Sequence, residues 1–82
     1  MENQKQEQYL SSDFYLTAYL LSVGMQLIGT QGANPRKTMF VLKDSPERKQ
    51  LIQDFYSNRA QVDPLVYKNW LMDLKAMLYN NN

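Results

Sequence analysis

The chain has 82 residues, a formal net charge of +1, and neither cysteine nor histidine. That length makes one domain with a modest core. The missing residue types exclude disulfides, Cys/His metal sites, cysteine nucleophiles and imidazole bases. Packing alone must hold the fold, with five methionines and ten aromatic residues as its filling.

Met1 to Gln8 is polar and rich in Glu and Gln, with nothing to bury. It reads as a disordered tail (1–8) ahead of a single domain (9–80). It contains no apolar leader core, and no apolar run approaches the ~20 residues of a membrane span. The expectation is a cytoplasmic protein without membrane contact.

A first helix is expected from Leu10–Ser12 to about Val23. Ser11 is the preferred N-cap, Leu10 and Tyr15 take the staple positions, and Asp13 adds favourable charge. Gly24 suits the left-handed residue after the helix, which puts Leu20 and Met25 in the apolar contact of a Schellman motif. This helix is apolar on two sides. Leu16, Tyr19, Leu20 and Val23 form one arc; Phe14, Ala18 and Leu21 form another. Such a helix either lies centrally or offers one arc to a second copy of the chain.

Met25–Thr30 and Thr38–Lys43 read as the strands of a hairpin, and the second is rich in β-formers. Phe40 and Leu42 should face the helices, with Leu27 or Ile28 opposite, and Met39 and Val41 outside. The connecting Gln-Gly-Ala-Asn-Pro-Arg-Lys has turn chemistry but is too long for a two-residue turn. Asp44 and Ser45 should cap a second helix, with Pro46 and Glu47 in its first turn. Its apolar face is Leu51, Ile52, Phe55 and Tyr56. Ala60–Val62 is a candidate third strand.

Asp63 and Pro64 signal the start of a long last helix. At ~100° per residue, Val66, Tyr67, Trp70, Leu71, Leu74, Met77 and Leu78 fall in one arc of about 140°, with Trp70 central. Leu65, Met72 and Ala76 form a second strip on the far side. Lys68, Asp73 and Lys75 lie outside the main stripe. The expected class is α+β: helix, β-hairpin, helix, helix, with three helices packed against a small antiparallel sheet.

Asp13-Phe-Tyr-Leu-Thr-Ala-Tyr-Leu-Leu-Ser-Val-Gly24, Thr38-Met-Phe-Val-Leu-Lys-Asp-Ser-Pro46, Val62-Asp-Pro64 and Leu74-Lys-Ala-Met-Leu-Tyr79 resemble a small prokaryotic and phage family. It is known only as a domain of unknown function, DUF5659. The resemblance runs from about Tyr9 to Tyr79. It rests on caps, turns and core positions, so it implies a fold and carries over no functional residue.

The functional candidates are few. Gly24, Gly29 and Gly32 fit no phosphate loop and suit helix ends and turns. Asp44, Glu47 and Asp63 sit where caps sit, and Asp54 and Asp73 lie on solvated faces. No enzyme and no cofactor is therefore expected. Residues 36–49 carry five positive charges against two negative, net +3, which leaves the rest net −2. Asn34, Arg36, Lys37, Lys43, Arg48 and Lys49 are thus candidate nucleic-acid contacts. Phe14, Ala18, Leu21, Leu65, Met72 and Ala76 are candidate protein contacts, to a second copy or to another protein. The reading preferred is a small non-enzymatic binding domain with an interaction or assembly role. A nucleic-acid-binding accessory is second.

Overall fold

In a computed structural model, residues 7–32 and 35–80 are described. Their elements are β1 (Gln8–Ser11), α1 (Phe14–Ser22), β2 (Gln26–Gln31), a 3₁₀ turn (Pro35–Lys37), β3 (Met39–Lys43), α2 (Arg48–Tyr56) and α3 (Pro64–Asn80). The class is α+β, as expected. The sheet, however, has three antiparallel strands in the order β1-β3-β2.

The extra strand comes from the N-terminal side. Gln8–Ser11 pairs with Lys43–Phe40, and the Asp44 N–H donates to the Glu7 carbonyl at 2.9 Å. Glu7 and Gln8, expected in a disordered tail, are therefore tied to the sheet; Met1–Gln6 lie outside the described residues. Ala60–Val62 forms no strand, and Ala60 and Val62 pack against the core instead. β3 is the strand richest in β-formers, and it needs partners for both its edges. β1 supplies the second and turns Tyr9 and Ser11 inward, opposite Leu42 and Phe40.

This strand moves the helix start. Ser11 is not the N-cap, because its backbone belongs to the sheet. Asp13 caps α1: its Oδ1 accepts from the Leu16 N–H at 3.0 Å. Ser11 is buried and accepts from Thr17 Oγ1 at 2.7 Å, tying strand to helix. Asp13 also holds α2, since the Tyr56 hydroxyl donates to its Oδ2 at 2.6 Å. That bond, then the Leu16 N–H, keeps the Asp13 carboxyl below its ordinary value of 3.8. The contribution of its ionised form to stability is present above the unfolded-state pKa. It is lost as pH falls through the lower folded-state value. Asp13→Ala is expected to cost about 1–2 kcal/mol at neutral pH. Urea melts should show that deficit narrowing below about pH 4. A deficit constant down to pH 2 would contradict the assignment.

α1 ends as expected. Gly24 has φ +116°, its N–H donates to the Leu21 carbonyl, and the Met25 N–H donates to the Leu20 carbonyl. This is a Schellman pair, with Leu20 and Met25 both in the core.

Leu16 through Leu21 are all buried. Six consecutive helical residues span more than a full turn, so α1 is walled on every side. Sheet residues Phe40 and Leu42 join its core cluster, as do α3's Leu74 and partly buried side chains of α2. The arc of Phe14, Ala18 and Leu21 thus faces the chain itself: Ala18 is 0% and Leu21 5% exposed, and Phe14 packs partly buried against the core. Ala18 and Leu21 are therefore not a surface for a second copy, and Phe14 is only partly covered.

In the hairpin the expected pairing of Leu27 and the outward placement of Val41 hold, while the role of Gly29 and the start of α2 differ. Leu27 opposes Leu42, but β2 bulges at Ile28, which is exposed; Gly29 opposes Val41. Gly29 therefore serves a bulge rather than a turn. Val41 lies on the outer sheet face, outside the core cluster, yet is buried between its cross-strand neighbours Leu10 and Gly29. α2 begins at Arg48, after a turn at Pro46–Glu47, and has no side-chain cap; Ser45 Oγ accepts from the Glu47 N–H instead.

Candidate protein-contact surface

α3 starts where the sequence predicts. Pro64 opens it, and Asp63 Oδ1 accepts from the Leu65 and Val66 N–H groups at 2.8 and 3.3 Å. Seventeen residues make a rod of roughly 25 Å. Its rotation about its axis is fixed by Leu74, its one buried residue. Tyr67, Trp70, Leu71, Met77 and Leu78 pack around the core half-buried, whereas Val66 is exposed. Trp70 is therefore on the shoulder of the stripe and not at its centre.

The opposite side follows from that rotation. At 100° per residue, Leu65, Met72, Ala76 and Tyr79 all lie within about 40° of the direction facing away from Leu74. Leu65 is 62% exposed, Met72 57% and Tyr79 68%; Ala76 is exposed as well. Lys68 and Lys75 run along one flank of this strip, and Asn69 and Asp73 along the other. On the lysine side the strip slopes into a shallow groove shared with the start of α1. Phe14, Tyr15, Lys68, Leu71, Met72 and Lys75 line it. The Tyr67 hydroxyl donates to the Tyr15 carbonyl at 3.2 Å and pins the two helices at this junction.

Leu65, Met72 and Ala76 are where the sequence places them. Phe14 reaches the surface only as part of the groove. Tyr15, Lys68 and Lys75 were not among the residues singled out from sequence. Two lysines seven residues apart with Leu71 and Met72 between them were the available signal.

The basic residues do not form one patch. Arg48 is held by Asp44, with Nε–Oδ1 2.9 Å and Nη2–Oδ2 3.1 Å, and its guanidinium sits 4.5 Å over the Tyr9 ring. The pair lowers the Asp44 carboxyl and raises the Arg48 guanidinium pKa. Arg36 and Lys37 lie on the 3₁₀ turn before β3, while Lys43 ends that strand. Six extended residues separate Lys37 from Lys43 by roughly 20 Å. Lys49 is exposed on the first turn of α2, near Lys43's end. Asn34 lies outside the described residues. Several carboxylates also have local partners. Asp13 and Asp63 cap helices, Asp44 holds Arg48, Glu47 accepts from Ser45 Oγ, and Asp54 accepts from Gln50.

The molecule is thus a small α+β domain built around a buried first helix, with an apolar strip exposed along its last one. It belongs to the family described as Domain of unknown function (DUF5659), which it matches over residues 6–80. That span takes in the capping, turn and core segments on which the resemblance rested. No curated protein and no solved structure matches the chain.

Proposed function

We propose that this chain is a non-enzymatic, cytoplasmic interaction domain of a bacterium or phage, which holds another protein on the outer face of α3. The observation that carries the reading is the exposure of Leu65, Met72 and Tyr79 on one side of a helix whose other side is packed. Scattered apolar residues are ordinary on a surface; a row along nearly four turns of one helix supports a contact role. The local partners of Asp13, Asp44, Glu47, Asp54 and Asp63 favour structural over catalytic roles for those carboxylates. No helix among the described residues is long and apolar enough to cross a membrane.

Nucleic-acid contact through Asn34, Arg36, Lys37, Lys43, Arg48 and Lys49 is the weaker reading. The separation of Arg36 and Lys37 from Lys43, and the engagement of Arg48 by Asp44, both count against it.

A photoreactive residue in place of Met72 tests the proposal in the cell that makes the protein. A discrete cross-linked adduct is expected from that position. None is expected from Gln53, exposed on α2. Equal labelling from both positions, or none from position 72, ends the reading.

A further inference from the structure

We infer that the partner is an acidic amphipathic helix, seated along the groove between α3 and the start of α1, with carboxylates against Lys68 and Lys75. This rests on the protein-contact reading of α3 and adds the partner's chemistry.

The first support is charge left without a counterpart. Neither Lys68 nor Lys75 has a hydrogen bond or ion pair among the described residues. Neither has an acidic residue three or four positions away, where a helix would place one. Both border the same groove, whose other lining side chains are Phe14, Tyr15, Leu71 and Met72. An aromatic and methionine-lined floor with a cationic rim takes an apolar stripe edged by anions.

Spacing is the second. Seven residues are about 10.5 Å along a helix. A partner helix with carboxylates at positions i and i+7 and apolar residues at i+3 and i+4 meets both lysines and the floor together. Methionine and exposed tyrosine suit a surface that adapts to such a stripe.

The geometry also sorts the other occupants. In an antiparallel pairing with a second copy of α3 the lysine flanks would meet each other, and like charges repel; a parallel pairing would set them against Asn69 and Asp73, one carboxylate for two lysines. A flat anionic membrane would meet both flanks of the strip, bringing Asp73 against it along with the lysines. A helix lying in the groove meets the lysine flank alone.

The test uses the full chain, isotopically labelled, and a capped synthetic peptide of about 18 residues, long enough to be helical. The peptide carries Glu at i and i+7 beside a Leu stripe; its twin carries Gln at those positions. The Glu peptide should shift the resonances of Tyr15, Lys68, Met72 and Lys75. It should bind about tenfold tighter than the twin at low ionic strength, with the gap closing as salt is added. Lys68→Gln/Lys75→Gln should abolish the preference while leaving the melting temperature near that of the parent.

Equal binding of the two peptides overturns the acidic partner and leaves α3 as a docking face. So does failure of both peptides while position 72 still cross-links in the cell. Failure of both together with no cross-link removes the underlying reading as well. Binding to phosphatidylserine–phosphatidylcholine vesicles without binding to either peptide overturns the proposal in favour of a lipid surface.

Discussion

Leu74→Ala is expected to cost about 3–4 kcal/mol, read from urea unfolding with an unchanged m-value. Leu74 is 0% exposed and is the single residue of α3 that reaches the interior. It belongs to one cluster with Leu16, Tyr19 and Leu20 of α1, and with Phe40 and Leu42 of the sheet. Truncation removes its transfer energy and leaves a cavity that close-packed neighbours cannot fill. A domain of this size has about 5–15 kcal/mol to lose, so the melting point should fall by about 15–25 °C. Trp70→Ala should cost less, about 2 kcal/mol, because the indole is only half-buried at the shoulder of the stripe. The comparison is the check. A larger loss at Trp70 than at Leu74 would mean that α3 is rotated by the ~40° separating them. That rotation would bury Val66 and Met77 in place of Leu71 and Leu78, while Leu65 and Met72 stayed on the outer side.

The helical period itself sets Leu74, and not Trp70, nearest the middle of the stripe. At ~100° per residue the arc runs about 140° from Val66 to Leu71, and its midpoint lies about 10° from Leu74 and about 30° from Trp70. Part of the local chemistry was legible as well. Asp63-Pro64 starts α3, Gly24 ends α1, and Leu20 and Met25 make the expected apolar pair. Phe40 and Leu42 face inward by simple alternation.

What escaped was non-local. Gln8–Ser11 is too short and too polar to announce a strand. It becomes one because β3 has an edge to pair, thirty residues later in the chain. Once those residues are in the sheet, Asp13 and not Ser11 is left to cap α1. The same limit affected the surface. Net charge over residues 36–49 is a property of sequence order, whereas a binding patch is a property of space. A strand that carries Lys43 away from Lys37, and an aspartate that closes on Arg48, dispersed the apparent cluster. The Leu65/Met72/Ala76 strip survived because a single helix determines it. The groove beside it needed α1 as its second wall, so Tyr15 and the two lysines acquired their meaning only in the fold.

Gly32→Ala is expected to cost about 2–4 kcal/mol, a combination of backbone strain and steric overlap. Gly32 follows β2 with φ +143°, a region that side-chain-bearing residues avoid. A Cβ there would lie 2.5 Å from the Lys37 carbonyl oxygen and 2.9 Å from the Thr38 Cα. Both are backbone atoms, so no rotamer change relieves the overlap. The chain must separate where β2 and β3 begin to pair, at Gln31 and Met39. Amide exchange should therefore quicken first at that end of the ladder and least at Leu27 and Leu42. Gly29→Ala is the control. Gly29 has no positive φ, and nothing lies within 4 Å of its added Cβ. It should change stability by less than about 1 kcal/mol. A Gly32→Ala protein as stable as its Gly29→Ala counterpart would mean that the 3₁₀ turn does not lie against β2 in solution. Arg36 and Lys37 would then lose their fixed position at the far end of β3, and the case for a divided basic cluster would go with it.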